Sequence, residues 1–260
     1  MSDRLAAFTR SLRERSELGR LGPAPALFAH PDGERPAPLL LWLHGRTVSK
    51  ELDSARYLRL IRAGICVLAL DLPGHGERAD PALQAPGAMR PLLTQALSEL
   101  DGVLEALWAS PWGPLVARER LAMGGMSAGG MITLRRLCEP HPFRCAAVES
   151  TCGDFAAVDE ERFRAGIAAG LDPRSHLEGW RPLPLLALHS ERDRVTPLRG
   201  ITGFLDALRG RYAALGADPA QVELTTWPET GAPMEHAGFG RKAREARERF
   251  VEFLSTHLGE

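Results

Sequence analysis

Only four cysteines occur in the 260 residues, Cys66, Cys138, Cys145 and Cys152, and none form a Cys-x-x-Cys pair. That argues against a disulfide framework or a zinc knuckle and leaves buried, inert thiols as the expectation. Charge of one sign is also lacking: 32 Lys and Arg face 33 Asp and Glu, for a formal net charge of -1. No global field therefore favours nucleic acid or anionic lipid. Long apolar runs are missing too. The longest, Leu39 to Leu43 and Ile65 to Leu70, fall far short of the roughly 18 residues that would argue for a bilayer span, so no membrane partner is expected. The N-terminal twenty residues have no apolar core and mix acidic with basic side chains, which argues against a secretory signal and for a cytoplasmic protein. There is no internal repeat and no low-complexity tract.

What is present is enough apolar side chain, 44% of residues, to build a large core, and 25% charged residues to cover it. The length suits one domain, residues 1–260. Short apolar runs recur, each ending in a loop of polar and glycine residues: Leu39 to Leu43, Ile65 to Leu70, Leu121 to Met126, Cys145 to Glu149, Leu183 to Leu188 and Val222 to Trp227. Charged, helix-patterned stretches near 50–62, 91–108, 128–138, 199–215 and 241–257 separate most of them. Continuous apolar strands alternating with helices predict an α/β fold with a doubly wound, mostly parallel sheet. Leu5, Phe8 and Leu12 predict an amphipathic helix over the first twenty residues. Phe155, Val158, Phe163 and Ile167 predict another within 154–181, a segment outside the alternation that is expected to form a short lid.

In such a sheet, ligands bind outside the carboxyl ends of the strands, so the loops there carry the chemistry. The strongest signal is Gly125-Met126-Ser127-Ala128-Gly129, a Gly-x-Ser-x-Gly turn between an apolar strand and a helix with Met131, Leu134 and Leu137 on its apolar positions. That setting marks Ser127 as an exposed nucleophile on a sharp turn. A serine hydroxyl needs a base, and a histidine has the pKa for the task. Among eight histidines, His236 follows the last strand and precedes the last helix, which gives the chain order Ser, Asp, His. Asp193, just after the Leu183 to Leu188 strand, is the expected acid; Glu191, Glu149 and Asp154 also lie near strand ends and stay open as alternatives. The backbone N–H groups of Ala128 and Arg46 are expected to form an oxyanion hole. The Arg46 side chain is open to an acidic substrate group or to solvent.

Taken together, WLHGRT, DLPGHGER, GGMSAGGM, LHSERDRVTP and MEHAGFG resemble the prolyl-oligopeptidase and dienelactone-hydrolase branch of the α/β-hydrolases, and most closely small bacterial carboxylesterases. The resemblance runs from about Ala26 to the end. Where that branch often has His-Gly, this chain has His189-Ser190, and where dienelactone hydrolases carry cysteine it has Ser127. The resemblance implies hydrolysis of a small-molecule ester without a cofactor or metal, and structural roles for Asp71 and His75. With only a short lid, small or short-acyl esters are expected, with Met126, Met131, Phe155, Phe163 and Trp180 as pocket side chains. A homodimer is allowed for. Two other readings remain: a metal-dependent hydrolase built on His44, His75, His189 and His236 with Asp71 and Asp193, though no pair has a familiar ligand spacing, and a binding protein that kept the fold without the activity.

Overall fold

A computed structural model of the chain describes residues 4–158, 161, 163, 164 and 170–259. Among the described residues eight strands form one sheet: β1 (Ser16–Leu21), β2 (Ala24–Ala29), β3 (Ala37–Leu43), β4 (Cys66–Leu70), β5 (Val116–Met126), β6 (Cys145–Glu149), β7 (Leu185–Ser190) and β8 (Val222–Trp227). Their order is β1-β2-β4-β3-β5-β6-β7-β8, with β1 and β2 antiparallel and the pairings from β4 to β8 parallel. This is the doubly wound, mostly parallel sheet expected from the alternation, and all six anticipated strands are present.

Helices cover both faces: α1 (Arg10–Arg13), α2 (Ser54–Arg62), α3 (Pro81–Gln84), α4 (Met89–Ala109), α5 (Ala128–Arg136), α6 (Leu198–Ala214) and α7 (Ala243–Leu258). The period of two along a strand sorts the side chains between them. Leu39, Leu41 and Leu43 join a core with α4, α5 and α6, whereas Leu40 and Trp42 join a second core with α1, α2 and α7. Burial on both faces is why these strands read as unbroken apolar runs. None of the helices described is long and apolar enough to cross a membrane.

The first twenty residues depart from expectation. Among the described residues the helix there is confined to Arg10–Arg13, and Ser16–Leu21 is a strand that pairs with β2 through a two-residue turn, Gly22-Pro23, with Gly22 at φ 56°. Phe8 and Leu12 are buried, so the apolar spacing recorded burial correctly. It could not record β1, whose outward side chains are mostly exposed and polar and whose stability comes from its ladder to β2. In the segment 154–181, 3-10 turns at Phe155–Ala157 and Pro173–Gly179 are described; Ile167 lies outside the described residues.

Two contacts tie the layers to the strand ends. Phe250 of α7 meets the Trp42 ring edge-on at 5.4 Å, and neither ring has measurable exposure. His44, just past β3, faces the Gly45 carbonyl with Nδ1 at 2.6 Å and accepts the Leu72 N–H on Nε2 at 3.1 Å, joining the loops after β3 and β4. Burial holds the His44 imidazole down to about 4 and that of His141 likewise to about 4. Burial also lowers His75 and His189.

Replacing Phe250 with Ala removes a fully buried ring and should cost about 3 to 5 kcal/mol of unfolding free energy, measurable by urea denaturation; a loss below about 1 kcal/mol would mean that the two faces do not depend on this contact. The histidines set a pH dependence. Unfolded imidazoles take up protons near 6.5, whereas folded His44 and His141 refuse them until about 4, so the unfolded chain binds more protons between these values. The melting temperature should therefore be highest above pH 6.5 and fall progressively as the pH drops towards 4. A melting temperature flat across that window in scanning calorimetry would show that the buried imidazoles accept protons in place.

Candidate active site

The turn from β5 into α5 places Ser127 at φ 53° and ψ −117°, a backbone conformation that side chains other than glycine rarely adopt. Its neighbours hold it there. The Ser127 N–H donates to the Glu149 carbonyl at 2.9 Å, and the Ser127 carbonyl accepts from the Met131 N–H at 3.0 Å and from Thr151 Oγ1 at 2.8 Å. Close approach explains the glycines around it. A Cβ on Gly125 would lie 2.4 Å from the Gly129 backbone, and one on Gly129 would lie 2.1 Å from the Leu43 carbonyl oxygen.

His236 and Asp193 meet Ser127 from the loops after β8 and β7. His236 Nε2 is 2.9 Å from Ser127 Oγ, and Nδ1 is 2.8 Å from Asp193 Oδ2. A carboxylate facing Nδ1 favours the tautomer with the proton on Nδ1, which leaves the Nε2 lone pair towards the serine. Asp193 is buried and fixed in its turn: Oδ1 accepts the Val195 and Thr196 N–H groups, each at 2.8 Å, and Oδ2 accepts Thr196 Oγ1 at 3.1 Å. Its alternatives are engaged elsewhere. Glu149 binds both terminal nitrogens of Arg56 at 2.7 and 2.6 Å, Asp154 pairs with Arg174, and Glu191 accepts from Thr226. Burial pushes the Glu149 carboxyl above its ordinary value, against the pull of Arg56.

A cleft of about 650 Å³ opens over Ser127 and His236. Ala128 is the first residue of α5, so its N–H lies in the turn where helical N–H groups have no acceptor within the helix. Arg46 lines the cleft on the loop after β3, beside Gly45, where an added Cβ would lie 3.4 Å from Ser127 Cβ. Both anticipated N–H groups thus belong to segments next to the serine. The Arg46 guanidinium turns away to the Gln84 and Ala85 carbonyls, at 2.6 Å each, and pins the loop that carries them.

Met126 and Met131 line the cleft, as anticipated, but Phe155, Phe163 and Trp180 do not. All three are buried in the core. Phe155 and Phe163 pack edge to face at 5.3 Å, and Trp180 stands against Phe204 of α6 while its indole N–H donates to the Tyr212 hydroxyl at 3.0 Å. Large rings gain most from complete burial, and here they fasten the 154–181 segment against α6. None of its described residues lines the cleft, so what is described of it does not cover the serine as a lid.

The remaining strand-end histidines are tied to backbone. His44 bridges Gly45 and Leu72, His75 Nδ1 faces the Pro73 carbonyl at 2.8 Å, and His189 Nε2 faces the Thr196 carbonyl at 2.8 Å. Asp71 accepts from the Lys50 and Glu77 N–H groups and from Lys50 Nζ, which organises its own loop. Among the described residues no group of three or more His, Cys, Asp or Glu side chains is arranged to hold a metal ion.

Three supporting features escaped the sequence. Thr196 brackets Asp193, and an acid followed three residues later by threonine is a recognisable turn signal. Glu235, just before His236, sits at φ 54° and accepts from Ser190 Oγ, from both Thr230 donors and from the Gly231 N–H. Those donors, the Thr230 N–H first, hold its carboxyl down at about 2. The Arg56 and Glu149 pair joins residues too far apart in the chain for any local pattern to reveal.

Comparison with known proteins agrees with this architecture. Esterase YjfP of Escherichia coli is 28% identical over 200 residues, covering 70% of this chain and 79% of the esterase. The crystal structure of TT1662 from Thermus thermophilus superposes with a TM-score of 0.72 at 25% identity, covering 95% of this chain and 98% of that one. The acylaminoacyl peptidase of Pyrococcus horikoshii shares the fold, with a TM-score of 0.69 at 17% identity over 95% of this chain and 42% of the peptidase. Residues 40–258 match the model of the alpha/beta hydrolase family, and with the sheet order and the strand-turn-helix at Ser127 this establishes that the chain belongs to that family.

Proposed function

We propose that the protein is a serine esterase acting on small or short-acyl esters, with Ser127 as nucleophile, His236 as base and Asp193 as the acid that orients it. The observation that carries this reading is the unbroken row of hydrogen bonds, 2.9 Å from Ser127 Oγ to His236 and 2.8 Å from His236 to Asp193, at the floor of an open cleft. The relation to an esterase supports it.

In the proposed cycle Ser127 Oγ attacks the ester carbonyl carbon while its proton passes to His236 Nε2. The carbonyl oxygen becomes an oxyanion, received by the N–H groups of Ala128 and Arg46. As the intermediate collapses, the C–O bond to the alcohol breaks and His236 gives that oxygen its proton. Water then attacks the acyl-enzyme, its proton going to His236 and on to Ser127 Oγ as the acid leaves. Asp193 stabilises the imidazolium in both halves, and these residues complete the cycle without a cofactor. Apolar contacts come from Val48, Met89, Met126, Met131 and Val195, a strip suited to a few methylene groups.

Ser127→Ala should lower kcat for a short p-nitrophenyl ester by roughly 10⁴-fold or more, and a fluorophosphonate should form a single adduct on Ser127 in intact-mass and peptide analysis; near-normal turnover by the variant would sink the assignment. Across acetyl, butyryl, octanoyl and decanoyl esters, kcat/KM should peak at the two short members. A maximum at decanoyl would refute the short-acyl preference while leaving the nucleophile in place.

A further inference from the structure

The cleft crosses the carboxyl end of the sheet from one core to the other. At one end Met89 and Met131 belong to the core under α4 and α5. At the other end stand Arg56 of α2 and Arg247 of α7, on the face where Met126 packs with the second core. The two ends differ in their charge balance.

Arg56 is satisfied. Its guanidinium lies 4.3 Å over the Trp42 ring and 4.4 Å over the Phe250 ring and binds Glu149 through both terminal nitrogens. Asp53, the other carboxylate of the cleft wall, accepts the Trp42 indole N–H at 2.7 Å and lies 4.0 Å from Arg56. Both carboxylates in the wall are therefore committed. Arg247 has no such partner: among the described residues it makes no hydrogen bond or ion pair, and its Nε is buried without an acceptor. Burial, together with the neighbouring Arg59 and Arg56, lowers its pKa. Leaving a buried donor of a charged group unpaired is costly, and the three guanidinium groups of Arg56, Arg59 and Arg247 face two carboxylates, Glu149 and Asp53, one negative charge short of balance.

We propose that Arg247 binds a carboxylate of the substrate, so that the preferred substrates are short esters bearing a second, free carboxylate, the apolar part lying towards Met89 and Met131. This rests on the reading of Ser127 as the esterase nucleophile. The planar fork of Arg247 matches a carboxylate through two parallel hydrogen bonds. The Arg56 and Glu149 pair keeps the neighbouring guanidinium occupied, which leaves Arg247 as the group that selects.

The test uses two pairs of matched esters followed by pH-stat titration. Monoethyl glutarate against ethyl valerate places the charge on the acyl side, and γ-acetoxybutyrate against butyl acetate places it on the alcohol side. In the wild type, one pair should favour the charged ester by about ten-fold or more in kcat/KM. That ratio should fall by about ten-fold in Arg247→Gln, chiefly through KM, and recover in part in Arg247→Lys; comparing ratios cancels the intrinsic reactivity of each ester. Wild-type ratios at or below one for both pairs would overturn the inference without any variant, and so would a preference that survives Arg247→Gln. A phosphonate adduct on Ser127 without charge preference removes this inference alone, whereas no adduct and no turnover of any of the four esters removes the esterase reading with it.

Discussion

The backbone of Ser127 is the constraint on which the rest of the site depends. A non-glycine residue at φ 53° and ψ −117° carries strain on the order of 1 to 3 kcal/mol and persists only where its surroundings over-determine it. Here β5 supplies the strand, α5 the first helical turn, and β6 the carbonyl of Glu149 that accepts the Ser127 N–H. Gly125 and Gly129 let these elements come within contact of one another and of β3. The parallel sheet is thus the clamp that holds one residue out of its preferred conformation, and that conformation directs the hydroxyl towards the cleft.

The same economy extends to the loops that face the serine. Asp193 and His236 come from different strand ends, so their 2.8 Å contact requires each loop to be rigid on its own. Thr196 closes the first, and Glu235 closes the second through donors from three residues, one of which, Ser190, belongs to β7. A further backbone bond from the Arg194 N–H to the Met234 carbonyl ties the two loops directly. The serine at position 190 thereby has a physical use: its hydroxyl connects the strand that leads to the acid with the carboxylate beside the histidine.

Much of the fold was legible because both faces of the sheet are covered. Strands buried on two sides must be apolar throughout, and β3, β4, β6 and β7 announce themselves that way. β1 could not, because most of its side chains face solvent and its pairing with β2 makes it a strand. The candidate site divides similarly. Ser127, Asp193 and His236 could be read from chain order and local turns, and the structure brings all three together. The pocket could not: Phe155, Phe163 and Trp180 carry the same apolar signal whether they face a substrate or a core, and packing against one another and against α6 decided for the core. Arg56 with Glu149 was invisible for the opposite reason, a contact between distant residues that leaves no periodicity.

Histidine shows how surroundings, rather than residue type, divide the labour at the strand ends. His44, His75 and His236 follow strands and His189 closes one, and all lie near aspartates. The first three are turned onto backbone carbonyls within their own neighbourhood and are buried deeply enough that their charged form is disfavoured. His236 alone of the four has its two ring nitrogens aimed at side chains, a carboxylate on one side and a hydroxyl on the other. It also lines the open cleft. An imidazole whose proton can move only between backbone groups stabilises a loop. One set between a buried carboxylate and a hydroxyl on a strained turn is placed to pass a proton to whatever enters the cleft, and on the proposed reading the other three keep the loops still while it does so.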